Sequence, residues 1–157
     1  MVPIEHVKPR IIVDADACPV KQEIMSIAER FQLTVLMVAS YAHRIEPAGR
    51  MQVVQVDQSD QAVDLYIANH MQANDIIVTQ DFGVAALALG KGATAVSFRG
   101  QQYTDENIDY LLASRHARSK ARRGGMKTKG PRAMTDQDRA IFLHHLTKLL
   151  LERQEND

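Results

Sequence analysis

Ile11-Ile12-Val13-Asp14-Ala15-Asp16 is a short apolar run that ends on two aspartates one residue apart. A second run, Ile76-Ile77-Val78-Thr79-Gln80-Asp81, ends on a third. Extended backbone sends side chains i and i+2 to the same side, so Asp14 and Asp16 can converge on one point. If both runs are parallel strands, all three acids emerge at carboxyl ends, where open α/β sheets place their ligands. Carboxylates crowded in this way raise one another's pKa values unless a cation joins them. The expectation is a site for a hard divalent metal.

Working outward, strands and helices alternate. After Ile11–Val13, Pro19 stands at a suitable first helical position, and Val20, Ile24, Ile27, Ala28 and Phe31 recur at helical spacing. Thr34–Val38 and Val53–Val56 read as strands, with an unassigned loop or edge excursion over Ser40–Gln52 between them. Ser59 or Asp60 can cap a helix reaching about Gln72, with Ala62, Leu65, Ala68 and Met71 inward. The strand Ile76–Thr79 follows, then a short helix from Gly83, the strand Thr94–Phe98, and a helix capped by Thr104 with Ile108, Leu111 and Leu112 inward. Thr135 opens a terminal helix over about 135–153 whose Ile141, Phe142, Leu146, Leu149 and Leu150 must cover something, its own sheet or another subunit. Five strands alternating with helices predict a single doubly wound, mostly parallel α/β sheet.

Composition agrees with one domain over residues 1–157: the chain is 45% apolar and carries no low-complexity tract or repeat. The single cysteine, Cys18, excludes an internal disulfide and any cysteine-cluster metal site, which suits a reducing compartment. Met1-Val-Pro opens no cationic segment followed by an apolar core, so no secretory leader is expected. The longest apolar run, Val84–Leu89, falls far short of the roughly 20 residues that cross a bilayer. A cytoplasmic protein with no membrane partner is the expectation.

Net charge is zero, but its distribution is uneven. No acid occurs between Asp109 and Asp136, a span holding Arg115, Arg118, Lys120, Arg122, Arg123, Lys127, Lys129 and Arg132. The remainder holds 11 basic against 19 acidic residues, an acidic body with a basic strap. Gly124, Gly125 and Gly130 mark about 117–132 as a flexible loop. Such a strap suits nonspecific phosphate contacts that weaken as salt rises, although it holds no interleaved aromatics for base stacking. A solvated, partly disordered loop is the alternative, but the absence of any acid across this span favours nucleic acid.

The acids also have plainer readings. Asp14 or Asp16 could cap the helix near Pro19, and Asp81 the helix after Gly83. Asp60 and Asp64, four apart, share the first turn of a helix, where the dipole favours acids. Asp57 and Asp75 read as turn residues. Cys18 beside a helix N-terminus invites a thiolate reading, but neighbouring carboxylates oppose it and a small buried residue is preferred. Lys21 is placed to meet a phosphate or the acidic cluster, with a solvated lysine as the alternative, and His43 and Arg44 lie on a loop that can reach the site.

Asp14-Ala-Asp-Ala-Cys-Pro-Val-Lys21, then Asp60 to Asp64, Ile77-Val-Thr-Gln-Asp-Phe-Gly83, Gly100 with Tyr103-Thr104, and Asn107-Ile-Asp109 closely resemble the bacterial YaiI/YqxD family, over about Ile11–Leu150. That family is similar to the PIN-like nuclease superfamily, with an aspartate after the first strand and Thr-x-Asp after the fourth, matched here by Thr79-Gln80-Asp81. The resemblance implies a PIN-like sheet of order 3-2-1-4-5, with Asp14 and Asp16 beside Asp81. The superfamily's helical acid before the fourth strand has two candidates, Asp60 and Asp64.

What the resemblance implies is a metal-dependent nuclease. Mg²⁺ or Mn²⁺ held by Asp14, Asp16 and Asp81, with Asp60 or Asp64, would direct water at a phosphodiester, while Thr79 holds a ligand in place, Lys21 meets phosphate charge and the strap holds nucleic acid, RNA ahead of DNA. Two other readings stay open. A haloacid-dehalogenase-like phosphatase also uses Asp-x-Asp after the first strand, as nucleophile and general acid/base, although Ala17-Cys18 and the absence of a flap depart from it. A non-catalytic RNA-binding module would use the strap alone.

Overall fold

The computed structural model describes residues 8–59, 61–125 and 133–156. In chain order the elements are β1 (Ile11–Asp14), α1 (Lys21–Phe31), β2 (Val35–Ser40), β3 (Met51–Val56), α2 (Ala62–His70), β4 (Ile76–Val78), α3 (Phe82–Gly90), β5 (Thr94–Val96), α4 (Asp105–Arg123) and α5 (Asp136–Asn156). All five strands lie in one sheet of order β3-β2-β1-β4-β5, every neighbouring pair parallel. β1 is central, pairing Val13 with Met37 on one side and with Val78 on the other. Chain connections leave it in opposite directions, which creates the switch point beyond Asp14.

Period-two alternation sorts the core into two layers. Ile11 and Val13 face the layer under α1 and α5, with Ile24, Ile27, Phe142, Leu146 and Leu150. Ile12 faces the other way, into a layer with Ile67, Val84, Ala88, Tyr103 and Ile108 from α2, α3, α4 and the loop ahead of α4. Burial on both faces explains why β1 reads as an unbroken apolar run instead of an alternating one. The terminal helix therefore packs on its own sheet. Arg139 fastens it to the start of α1 by donating to the Pro19 carbonyl and by an ion pair of 3.4 Å with Glu23.

Several boundaries and faces differ from the sequence reading. α1 begins at Lys21, two residues after Pro19, because Pro19 and Val20 form a turn. β2 runs on to Ser40 and β3 starts at Met51, since their ladder continues through Ser40↔Val56. α2 starts at Ala62 without a side-chain cap, and its buried face is Val63, Ile67 and the following Met71. Leu65 is 58% exposed, a reversal of the expected face that reflects a helix apolar on most sides, so spacing singled out no stripe. Ile141 likewise faces outward, at 39% exposure.

The largest correction concerns the expected basic loop. Ala117 to Arg123 is not loop but the last two turns of the 19-residue helix α4, which opens with a capping box between Thr104 and Asn107. Ala, Lys and Arg are strong helix formers, and cations in the last turn complement the helix dipole. The break comes at Gly124-Gly125, where Gly125 takes φ +87°. Residues 126–132, with Lys127, Lys129 and Arg132, lie outside the described residues, as does Asp60.

Candidate functional site

Parallel pairing of β1 with β4 brings Thr79, the residue after β4, against Asp14. The Thr79 hydroxyl donates to Asp14 Oδ2 at 3.2 Å and accepts from the Asp81 amide at 3.0 Å. One fully buried hydroxyl thus ties the ends of both strands together. Tyr103 fixes the same residue from below, its phenol donating to the Thr79 carbonyl at 3.1 Å. Burial, then the Asp81 charge, pushes that phenol up to about 12, which keeps it a donor.

Asp81 serves two purposes. Its Oδ1 accepts from the Val84 amide at 2.9 Å, capping α3, while Oδ2 lies 4.0 Å from Arg115 Nη1 on α4. The expected cap of α3 is thus present, and the other oxygen of the same carboxylate faces Arg115. Gly83 keeps the cap open, since a Cβ there would stand 3.1 Å from Asp81 Oδ1. Asp16 turns toward β2: its Oδ1 accepts from the Ser40 amide at 2.7 Å and lies 3.2 Å from His43 Nδ1. Loop residue His43 thus reaches the cluster, whereas Arg44 pairs with Glu46 in solvent.

α2 supplies the fourth acid. Asp64 feels the charges of Asp81 and Asp14. Burial first, and then those charges, push the Asp64 carboxyl up to about 7, against the opposing charge of Arg115. Asp14 is also raised, first by burial and then by Asp16 and Asp81, with the Thr79 hydrogen bond pulling the other way. Four carboxylates from β1, the turn after it, α2 and the start of α3 thus share one electrostatic neighbourhood. Of the two helical candidates, Asp64 is in it.

An oxygen-only donor set of crowded, partly desolvated carboxylates fits a hard dication, whose charge would offset the repulsion. Among the described residues, no group of three or more acidic, histidine or cysteine side chains is placed to hold a metal ion. Mg²⁺ does not require one, because it keeps several waters and uses one or two carboxylates. The residues present suit that mode of binding.

Lys21 opens α1 and lowers the Cys18 thiol, but among the described residues it makes no ion pair. Cys18 is buried, and desolvation carries its thiol up to about 11, so it is a packing residue. Asp75 is structural, as expected: Arg10 grips it with bonds of 2.9 and 3.1 Å, and the Gln72 amide adds a third. Arg118, Lys120, Arg122 and Arg123 line the exposed end of α4. No described helix is long and apolar enough to cross a membrane.

The Ser40 amide and Tyr103 hold the site in place but were not assigned to it from sequence. Tyr103 belongs to the Tyr103-Thr104 motif, and the β1–β2 register, which sets Asp14 beside Val38, brings Asp16 near Ser40.

Residues 12–152 match the model of the family described as "Uncharacterized BCR, YaiI/YqxD family". A UPF0178 protein of Halalkalibacterium halodurans is 50% identical over 143 residues, 91% of each chain. Another from Bacillus velezensis is 45% identical over 141 residues, 89% of this chain and 84% of that one. A third from Listeria monocytogenes is 44% identical over 142 residues, 90% of this chain and 97% of its own. No solved structure gave a significant match. With nearly the whole length matched by the family and by these relatives, the chain belongs to the YaiI/YqxD family.

Proposed function

We propose that the protein is a metal-dependent phosphodiesterase acting on nucleic acid, RNA ahead of DNA, at the carboxyl end of β1 and β4. The observation that carries this reading is the meeting of Asp14, Asp16, Asp64 and Asp81 at the switch point of a parallel sheet. Asp14 and Asp81 would hold Mg²⁺ or Mn²⁺, with Asp64 joining once its proton is displaced. A bound dication supplies Lewis-acid charge and a water of lowered pKa.

The chain's own groups do the positioning. Thr79 fixes the Asp14 carboxylate by its 3.2 Å hydrogen bond and sets the backbone of Asp81. Asp16, held by the Ser40 amide and beside His43, ties the turn after β1 to the end of β2. The exposed cations of α4 supply the electrostatic attraction for a polyanion that the acidic body lacks. The fit to a haloacid-dehalogenase-like phosphatase is poorer, because Asp16 Oδ1 already accepts from the Ser40 amide and lies 3.2 Å from His43 when that chemistry needs the carboxylate free as the acid/base.

The test is to incubate labelled single-stranded RNA and DNA with the protein, with and without Mn²⁺, beside Asp14→Asn. Metal-dependent cutting that disappears in Asp14→Asn is expected. Cutting that survives EDTA or the substitution, or no cutting of either polymer, would overturn the reading.

A further inference from the structure

α4 carries its cations in a particular phase. Ile108 is buried against the α3 layer, with Leu111 and Leu112 partly buried beside it. Continuing that stripe by steps of three and four residues leads from Leu111 and Leu112 to Arg115, then Arg118, then Arg122. The helix face that begins as core therefore becomes cationic where α4 outruns the body, over a rise of about 10 Å from Arg115 to Arg122. His116, Lys120 and Arg123 follow a separate stripe on the neighbouring face.

Arg115 is the first cation of the inward stripe, and its guanidinium lies 4.0 Å from Asp81 Oδ2. That distance is charge contact without a hydrogen bond. Its charge also reaches Asp64. The side chain is 55% exposed, so it can swing. Arginine stays charged at any working pH and matches phosphate oxygens through its planar fork of donors.

We propose that Arg115 is a counter-cation built into the acidic site, which competes there with a divalent ion and passes to a backbone phosphate when a single-stranded RNA lies along Arg115, Arg118 and Arg122. This rests on the nuclease reading and assigns it a substrate path. It separates Arg115 from the other cations of the strap: Arg118 and Arg122 hold the polymer, while Arg115 exchanges partners between protein carboxylates and RNA. Filling the site with metal then releases Arg115 for the phosphate, so the two ligands favour one another.

The experiment measures Mn²⁺ affinity by electron paramagnetic resonance without RNA, for the parent, Arg115→Gln, Arg115→Lys and Arg30→Gln. Arg30 is an exposed cation on α1 and controls for the loss of one positive charge. In EDTA, the affinity of a short single-stranded RNA is read by fluorescence anisotropy, with DNA of the same sequence as a second arm. Arg115→Gln should bind Mn²⁺ roughly three- to fivefold more tightly, the scale of an exposed ion pair, and RNA at least about threefold more weakly. Arg115→Lys and Arg30→Gln should leave Mn²⁺ affinity near the parent value. Unchanged or weaker Mn²⁺ binding by Arg115→Gln, an equal gain in Arg30→Gln, or undiminished RNA binding would overturn the role of Arg115 alone. A parent protein that binds no Mn²⁺ would overturn the metal-site reading and this inference with it.

Discussion

Replacing Asp64 by asparagine should stabilise the protein in metal-free buffer, and the gain should depend on pH. The Asp64 carboxyl rises from 3.8 to about 7, first through burial and then through Asp81 and Asp14. A raised acid means that the folded state prefers the protonated form, so ionisation costs folding free energy. Below about pH 4 the group is neutral whether folded or unfolded, and the substitution should be nearly silent. Between about pH 4 and pH 7 the parent loses stability progressively, and above that the deficit is constant.

The full shift converts to roughly 4 kcal/mol. Asp64 is partly exposed, so solvent screening reduces the expected gain to about 1–2 kcal/mol. For a chain of this size that is about 2–8 °C in Tm. Thermal unfolding of the parent and Asp64→Asn in EDTA, at pH 4 and pH 8, measures it. Equal melting at pH 8, or a gap of the same size at both pH values, would refute the claim that carboxylate crowding strains the site.

Three further perturbations probe the surroundings. Cys18, its thiol pushed to about 11 by burial, should react with iodoacetamide at pH 8 far more slowly in the folded than in the unfolded protein; fast labelling would contradict its packing role. Arg139→Ala should cost about 2–4 kcal/mol in urea unfolding, because it strands the largely buried Glu23, whose Oε2 has no hydrogen-bond partner among the described residues even in the parent. Tyr103→Phe should cost about 1 kcal/mol through loss of the bond to Thr79. No loss of stability would show that this phenol does not brace the strand end.

What could be read ahead of the structure followed from backbone periodicity. The runs Ile11–Val13 and Ile76–Val78 announce two-sided burial, and the alternation with helical spacing in Val20–Ala28 fixes the class of fold. Sheet order came only through the resemblance, because nothing in a strand's own residues names its neighbour. Asp14 and Asp81 were legible since each ends a run on a side chain with no core to enter. The place of Asp64 follows only from the packing of α2 against β1 and β2, and apolar residues all round that helix hid its face.

The basic segment was misread for a physical reason. The three glycines and the break in composition suggested a loop from about 117, whereas Ala117, Lys120, Ala121, Arg122 and Arg123 extend a capped helix until the glycines stop it. Charge says which surface a segment shows to water and little about backbone conformation. Arg115 also shows what sequence leaves out: its place in the core-facing stripe is legible from spacing, but its approach to Asp81 depends on α4 crossing α3.

Crystals soaked in Mn²⁺ and measured at an anomalous wavelength test most directly whether these acids share a cation. The account predicts a peak between Asp14 and Asp81, about 2 Å from a carboxylate oxygen of each or one ordered water removed. Mn²⁺ found only elsewhere, or a bare cleft in crystals that carry the ion at other sites, would contradict it.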